Sequence, residues 1–283
     1  MRIASWNVNS VRTRLEQVRS WLQQEAPDVL CLQETKVDDP LFPHQAFEEL
    51  GYRTAISGQK AYNGVAILSR LPLEDVQIGF AALLPGDPEA ERLGEQKRVI
   101  SARIEGLRIL NLYVPNGSSL KSEKYPYKLE WLACLTRYLA VQEQQGEPLV
   151  MLGDFNIGPE ARDLPDPDRQ TGGIMASEPE RQALQAALGE RLQDVFRLFE
   201  PDSGHWSWWD YRSGAWERDR GWRIDHIYLE QDLLELASGC VIHKATRGQL
   251  QPSDHAPVVV NLAWPPVEDE DAAGDGEDDG SWL

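Results

Sequence analysis

Asp154 and Asn156 close the stretch Pro148-Leu149-Val150-Met151-Leu152-Gly153-Asp154-Phe155-Asn156-Ile157. In an extended chain alternate side chains point the same way, so this carboxylate and this amide would share one space. Such an acid can take a proton from water while the amide orients that water or a phosphate oxygen. Polar groups of the same kind recur at Asn7 and Asn9, Glu34 with Lys36, Tyr113 with Asn116, Asp225, and Ser253-Asp254-His255. Each alone fits a polar cap as well as a catalyst. Together they differ, because independent caps have no reason all to fall at the ends of apolar runs.

Carboxylates without thiolates suit a hard cation, Mg²⁺ with Mn²⁺ as its substitute, held by few protein oxygens with water completing the shell. Zinc would want more histidine or cysteine. Glu34 is the leading ligand, with Asn7 or Asn9 and Asp254 nearby. Asp225 and His255 could pair, the acid orienting the ring and the protonated ring facing a phosphate oxygen. Water held by Asp154 would then attack phosphorus in line, and the metal would stabilise the developing charge.

These residues need elements to position them. Leu149 to Leu152 is too short for a lone helix and reads as a buried strand, with Gly153 expected to end it in a sharp turn. Arg2 to Val8 reads as a strand. Val11, Leu15, Val18 and Leu22 follow at spacings of an amphipathic helix, and Asp28 to Glu34 is a second buried strand. This strand–helix–strand opening is an α/β signature, and such sheets carry their chemistry at the carboxyl ends of strands. Short strands follow at Tyr52–Ser57, Gly64–Ser69, Arg98–Ile104 and Leu107–Tyr113, the last two joined by a turn at Glu105-Gly106. That succession predicts antiparallel additions to the sheet. Tyr125 to Gln145 reads as a long helix with Leu129, Leu132, Leu135 and Leu139 on one face, and Ser177 with Glu180 as a capping box. Strands are expected to resume at Trp206–Trp209, Trp222–Leu229, Cys240–Lys244 and Ala256–Leu262.

A chain of 283 residues, 41% hydrophobic and 26% charged, is long enough for a sizeable core. The expected organisation is one catalytic domain over residues 1–264 and an acidic, disordered tail over 265–283. Met1-Arg2-Ile3-Ala4 runs straight into a strand pattern, so no signal peptide is expected, and no apolar stretch approaches the ~20 residues that span a membrane. Cys31, Cys134 and Cys240 are scattered among apolar neighbours without CxxC spacing, which points to reduced core thiols and a cytoplasmic protein of bacterial type. The net charge of −18 speaks at first against a polyanionic partner, but eight of the acids lie in the tail, leaving −10 for the body. A divalent cation in a carboxylate site would reverse the local field. The terminal Asp278-Asp279-Gly280-Ser281-Trp282-Leu283 puts apolar anchors after acids and could dock in a protein partner or lie in the protein's own groove. A solubilising tail is the plainer alternative.

The motifs Trp6-Asn7-Val8-Asn9, Leu32-Gln33-Glu34-Thr35-Lys36, Tyr113-Val114-Pro115-Asn116-Gly117, Gly153-Asp154-Phe155-Asn156 and Ser253-Asp254-His255-Ala256-Pro257 occur in this order. Together they resemble the exonuclease III family of class II abasic-site endonucleases, within the endonuclease/exonuclease/phosphatase superfamily. The resemblance runs from about Met1 to Ala263. It implies a DNase I-like four-layer α/β sandwich, two packed mixed β-sheets flanked by helices. It also implies Mg²⁺-dependent cleavage of duplex DNA on the 5′ side of abasic sites, trimming of blocked 3′ ends, and 3′→5′ exonuclease action; a monomer is expected. By the same resemblance Glu34 binds metal, with Asn7 and Asp254 near it, Asp154 activates water, and Asn156 orients the nucleophile or phosphate. Tyr113, Asn116, Asp225 and His255 support the scissile phosphate. Some relatives carry Asp where this chain has Asn9, which leaves open whether Asn9 touches metal.

The same resemblance puts Trp208, Trp222 and Ile224 around a pocket for the baseless sugar, which is physically sensible because an apolar pocket accepts a flipped deoxyribose and excludes a nucleotide still bearing its base. As residues alone they fit a core equally well. Lys60, Lys121, Lys124, Arg212, Arg218, Arg220 and Arg223 are the loop cations available to flanking phosphates. A phosphatase of inositol or lipid phosphates and a non-catalytic DNA-binding protein are the alternatives. The tryptophan-rich stretch and the Gln33-Glu34-Thr35-Lys36 motif favour DNA over the first, and the full set of catalytic side chains speaks against the second.

Overall fold

Alternation along the strands decides which side chains meet. In the computed structural model, which describes residues 1–266, Ile3 of the first strand faces an apolar core between two sheets while Ala4 and Trp6 face outward. Asn7 is in phase with Ile3 and therefore arrives on the inner side at the strand's end. Val150, Leu152 and Asp154 repeat the pattern, with Leu149 and Met151 outward.

Twelve strands form two six-stranded sheets. They are β1 (Arg2–Asn7), β2 (Val29–Gln33), β3 (Arg53–Ser57), β4 (Val65–Ser69), β5 (Glu74–Ile78), β6 (Val99–Ile104), β7 (Leu107–Tyr113), β8 (Leu149–Asp154), β9 (Leu192–Asp194), β10 (Asp225–Glu230), β11 (Ala237–Ile242) and β12 (Val258–Leu262). The orders are β11-β12-β1-β2-β4-β3 and β5-β6-β7-β8-β10-β9. Each sheet holds one parallel pair, β1/β2 and β7/β8, and its remaining pairs are antiparallel. Parallel pairing needs a crossover, and the Leu15–Glu25 and Lys124–Glu143 helices supply it, packing on the outer faces. The result is a four-layer α/β sandwich with mixed sheets, as the sequence motifs imply. The antiparallel neighbours β10 and β12 start at the edge where β1, β2, β7 and β8 end. Asp225 and the turn before β12 therefore share one rim with Asn7, Glu34, Tyr113 and Asp154.

Several expectations need correction. Gly153 does not end its strand: β8 runs on to Asp154, and at φ +145° a Cβ on Gly153 would lie 1.9 Å from the carbonyl oxygen of its register partner Leu112. Glycine there lets β8 lie against β7. The stretch Trp206–Trp209 is not a strand; Trp208 makes only isolated bridges to Trp222 and His255. The strand expected from Trp222 starts at Asp225, and the one expected over Cys240–Lys244 is β11. The buried face of the long helix carries Lys128, Trp131, Leu132, Leu135, Tyr138, Leu139 and Gln142, and Leu129 is off it. The capping box at Ser177 and Glu180 is present, opening the Glu178–Leu188 helix. The three cysteines are free and buried. Among the described residues no helix is long and apolar enough to cross a membrane. The expected tail lies, from residue 267 onward, outside the described residues.

Candidate active site

One amide joins the two sheets. Asn7 Nδ2 donates to Glu34 Oε1 and to Asp154 Oδ2, each at 2.8 Å, so the ends of β1, β2 and β8 meet at a single side chain. Glu34 stands just past β2 at φ +52°, a left-handed conformation that a non-glycine residue rarely adopts. Its second oxygen lies 2.8 Å from Lys36 Nζ, which also donates to Asn9 Oδ1 at 2.5 Å.

Asp154 lies opposite Asp225 in the β8/β10 register. Asn156, itself at φ +50°, donates from its backbone N–H to Asp154 Oδ1 at 2.9 Å and from Nδ2 to Oδ2 at 3.2 Å. Burial pushes the Asp154 carboxyl up to about 7; His255 pulls against this, and Asp225 and Glu34 add to it. His255 Nδ1 donates to Asp225 Oδ2 at 2.8 Å, and Nε2 stands 3.8 Å from Asp154 Oδ2. Burial pulls the imidazole down, but Asp225 and then Asp154 outweigh it and push it up to about 10. At neutral pH the ring is thus a cationic donor beside a carboxylate poised to take a proton.

Tyr113 comes off β7 onto the same rim, with the Arg98 guanidinium 4.5 Å from its ring centroid. Burial, with the Glu34 charge second, pushes the phenol well above its ordinary value, so it keeps its proton and can donate. Asn116 Nδ2 donates to Asn156 Oδ1 at 2.9 Å. Ligand atoms of Glu34, Asp154 and His255 lie within 4.8 Å of one another. Asp254 is not in that trio. Its oxygens accept from Asn9 Nδ2 at 3.0 Å and Trp208 Nε1 at 2.9 Å. Burial raises its carboxyl, but the His255 charge and those two hydrogen bonds outweigh it and hold the carboxyl below its ordinary value.

Trp208 and Trp222 bond backbone to backbone at 2.8 and 2.9 Å and line a cavity of about 230 Å³ with Arg212, Arg218 and Arg220 on its rim. Ile224 is 1% exposed and does not line that cavity. Lys121 is exposed on the loop before the Lys124–Glu143 helix. Arg223 is not a surface cation: it is 1% exposed, with Nε 2.6 Å from Asp163 Oδ1 and Nη2 2.6 Å from Asp194 Oδ2. Sequence reasoning also missed polar groups below and behind the rim. Gln33 Nε2 donates to Ser5 Oγ at 3.1 Å and Asn111 Oδ1 at 2.7 Å between the sheets. Lys128 pairs with Glu180 behind Asn156. Polar residues at inward positions of apolar strands, Ser5 and Asn111, were the available signal for the first.

The donor set fits a hard divalent cation. It consists of carboxylate oxygens of Glu34 and Asp154, bridged by hydrogen bonds from Asn7 Nδ2 and without a thiolate, and the buried Asp225 Oδ1 has no hydrogen-bond partner among the described residues. His255 Nδ1 is taken by Asp225, which leaves Nε2 as the ring atom facing the site.

Residues 4–255 match the endonuclease/exonuclease/phosphatase family. The chain is 36% identical over 270 residues to exodeoxyribonuclease III of Haemophilus influenzae, covering 91% of this chain and 98% of that one. The 3′ phosphatase NExo from Neisseria, solved bound to a product DNA hairpin, is 41% identical with a TM-score of 0.87 over 93% of this chain and all of that one. An AP endonuclease from Archaeoglobus fulgidus is 38% identical with a TM-score of 0.85, over 93% of this chain and 99% of that one. With five motifs gathered on one rim and a match along nearly the whole described length, the chain belongs to the endonuclease/exonuclease/phosphatase family.

Proposed function

We propose that this protein is a Mg²⁺-dependent DNA-repair phosphodiesterase. It cleaves duplex DNA 5′ to abasic sites and also removes 3′-phosphates and trims 3′ ends, acting in the cytoplasm as a monomer with its catalytic domain over residues 1–264. The observation that carries the reading is the Asn7 bridge, which holds Glu34 and Asp154 from different sheets 2.8 Å from one amide. Its relatives' names, an exodeoxyribonuclease III, a 3′ phosphatase and an AP endonuclease, cover these three reactions.

In this reading Asp154 takes the proton of an attacking water, a task suited to a carboxyl near 7. The new O–P bond forms as the P–O3′ bond breaks, and the departing oxygen takes a proton from solvent water to become a 3′-hydroxyl. Protonated His255, oriented by Asp225, donates to a phosphate oxygen together with the Tyr113 phenol and the Asn116 amide. Asn156 holds Asp154 in one orientation through two hydrogen bonds. Glu34, with Asn7 through its Oδ1, would hold the Mg²⁺ ion, for which Mn²⁺ could substitute, and the ion would supply positive charge against the phosphate and the leaving oxygen. Asp254 supports this side at one remove, through Asn9. Trp208 and Trp222 receive the baseless sugar, Ile224 backs them from the core, and Arg212 and Lys121 reach neighbouring phosphates. The acidic tail beyond residue 266 keeps the protein soluble, with docking on a protein partner or competition with DNA as the alternatives.

A gel assay with an internal abasic analogue, a 3′-phosphate nick and an intact blunt duplex tests the reading. Cleavage of the first two with Mg²⁺ and none with chelator is expected. Inert DNA substrates alongside hydrolysis of inositol polyphosphates would overturn it.

A further inference from the structure

Lys128 and Glu180 are both 0% exposed, and Nζ lies 2.6 Å from Glu180 Oε1 between the Lys124–Glu143 and Glu178–Leu188 helices. A buried ion pair brings little stability over an apolar pair of the same shape, so its charge invites another explanation. The remaining contacts of Nζ supply one. It donates to the main-chain carbonyl of Asn156 at 2.7 Å and reaches that of Asn116 at 3.5 Å. These are the two residues whose side chains join at 2.9 Å beside Asp154. Asn156 is left-handed at φ +50°, a conformation that persists in a non-glycine residue only when its surroundings impose it. Its backbone N–H and Nδ2 both reach Asp154, so Asn156, together with Asn7 on Oδ2, sets the direction of the Asp154 carboxylate.

Glu180 is fixed in its turn. It accepts from Met175 N at 3.1 Å, Ser177 N at 3.0 Å and Ser177 Oγ at 2.6 Å, which ties the loop ahead of the helix to the ammonium. Gly117 lies against the same lysine stem: a Cβ there would stand 3.4 Å from Lys128 Cδ. The ammonium therefore sits where the β7 loop, the β8 loop and the Glu178–Leu188 helix converge.

We propose that Lys128, held by Glu180, is a positioning residue for hydrolysis. It fixes the Asn156 carbonyl, and through Asn156 the direction of the Asp154 carboxylate and of the Asn116 amide. The proposal rests on the phosphodiesterase reading above.

The test compares wild type with Lys128→Met/Glu180→Gln, which keeps the buried volume and leaves no charge unpaired. On an abasic duplex kcat should fall roughly 10- to 100-fold, the scale of a small misplacement of a reacting group, with KM within about 3-fold. The melting temperature should stay within about 4 °C. In an Asn156→Ala background the same double substitution should cost less than in wild type, because the Nδ2 bond to Asp154 and the Asn116 partner are gone and only the backbone N–H remains to be steered; losses that simply multiply would overturn the proposal. Side-chain amide NMR signals of Asn116 and Asn156 give a readout independent of turnover. They should shift or split in the double variant, and unchanged signals with unchanged kcat would sink the clamp while leaving the enzyme reading intact. A wild type that cuts no DNA but whose amide signals respond would sink the enzyme reading and leave the clamp.

Discussion

His226 should withdraw stability on mild acidification, and His226→Phe should remove that contribution. The ring is 0% exposed, stacked on Phe155 with centroids 5.2 Å apart. Nδ1 accepts from the Tyr228 hydroxyl at 3.0 Å, and Nε2 donates to the Arg223 carbonyl at 3.3 Å, so the neutral form is fully bonded. Burial, with the Arg223 charge adding, pulls its pKa down to about 4 from an ordinary 6.5. The folded protein thus binds fewer protons than the unfolded chain between those values. Its contribution is intact above pH 6.5 and is lost as pH falls through about 4, a span of about 3 kcal/mol.

Asp154 works the other way. Its raised value makes the folded state gain protons, and stability, as pH falls from about 7, so wild-type stability alone does not isolate His226. The difference between wild type and His226→Phe does. Phenylalanine keeps the stacked ring and forfeits two hydrogen bonds, a cost of about 2 kcal/mol at pH 8. Urea titrations from pH 8 to 4.5 should show that deficit shrinking and then reversing, the variant ending about 1 kcal/mol ahead. A difference that stays level across the range would refute the claim that the folded state holds this ring neutral.

Asp163 accepts from Arg223 at 2.6 Å and from Arg197, and although burial works against it, those two cations hold its carboxyl at about 2. Asp163→Asn should destabilise by about 3–5 kcal/mol, as removal of one partner from a buried ion pair does; a urea midpoint within error of wild type would contradict this. Below pH 3.8 the wild type should also shed about 2 kcal/mol as this depressed carboxyl is protonated towards pH 2, a step that the asparagine variant lacks. Glu34→Gln and Asp154→Asn should each lower abasic-site cleavage by at least ~10²-fold while DNA affinity, read by anisotropy, changes far less. Comparable turnover in either would remove that residue from the mechanism. Deleting residues 267–283, with eight carboxylates, should tighten DNA binding at low salt if the tail competes for the groove, and an unchanged Kd would dispose of competition.

The strands that build the rim were legible because each is an apolar run with a polar stop: Asn7, Glu34, Tyr113 and Asp154 follow such runs, and all converge. Strand β5, Glu74-Asp75-Val76-Gln77-Ile78, was not, because it is an exposed edge strand with no buried alternation to find. Strand β9 is three residues long and leaves no pattern at all. On the Lys124–Glu143 helix the leucines located most of the buried face, since Leu132, Leu135 and Leu139 lie on it, but not its ends, where Lys128 and Gln142 are buried by partners far along the chain. Arg223 was misread for the same reason. A cation among loop residues signals solvent unless two acids, here Asp163 and Asp194, fold around it.

What no local pattern could announce is the backbone at the strand ends. Asn9, Glu34, Lys36 and Asn156 have φ of +44°, +52°, +54° and +50°, and each such residue costs about 1–3 kcal/mol unless its surroundings demand it. Here they do. Ser10 N donates to the Glu34 carbonyl at 2.7 Å, Lys36 N donates to the Asn63 carbonyl at 2.9 Å, and Arg14 and Lys128 donate to the carbonyls of Asn9 and Asn156, both at 2.7 Å. In each sheet a cation, Arg14 just before one flanking helix and Lys128 within the other, therefore stabilises a left-handed asparagine after a strand of the parallel pair. A straight continuation of β1 or β8 would carry the chain past the rim. The left-handed corners turn it back, so that side chains from two sheets face one another within hydrogen-bonding distance. The asparagines are suited to these corners by their tolerance of positive φ, and at the same positions they hold the carboxylates of Asp254 and Asp154. Backbone geometry and site chemistry thus constrain the same residues, which is why replacing either asparagine should disturb both together.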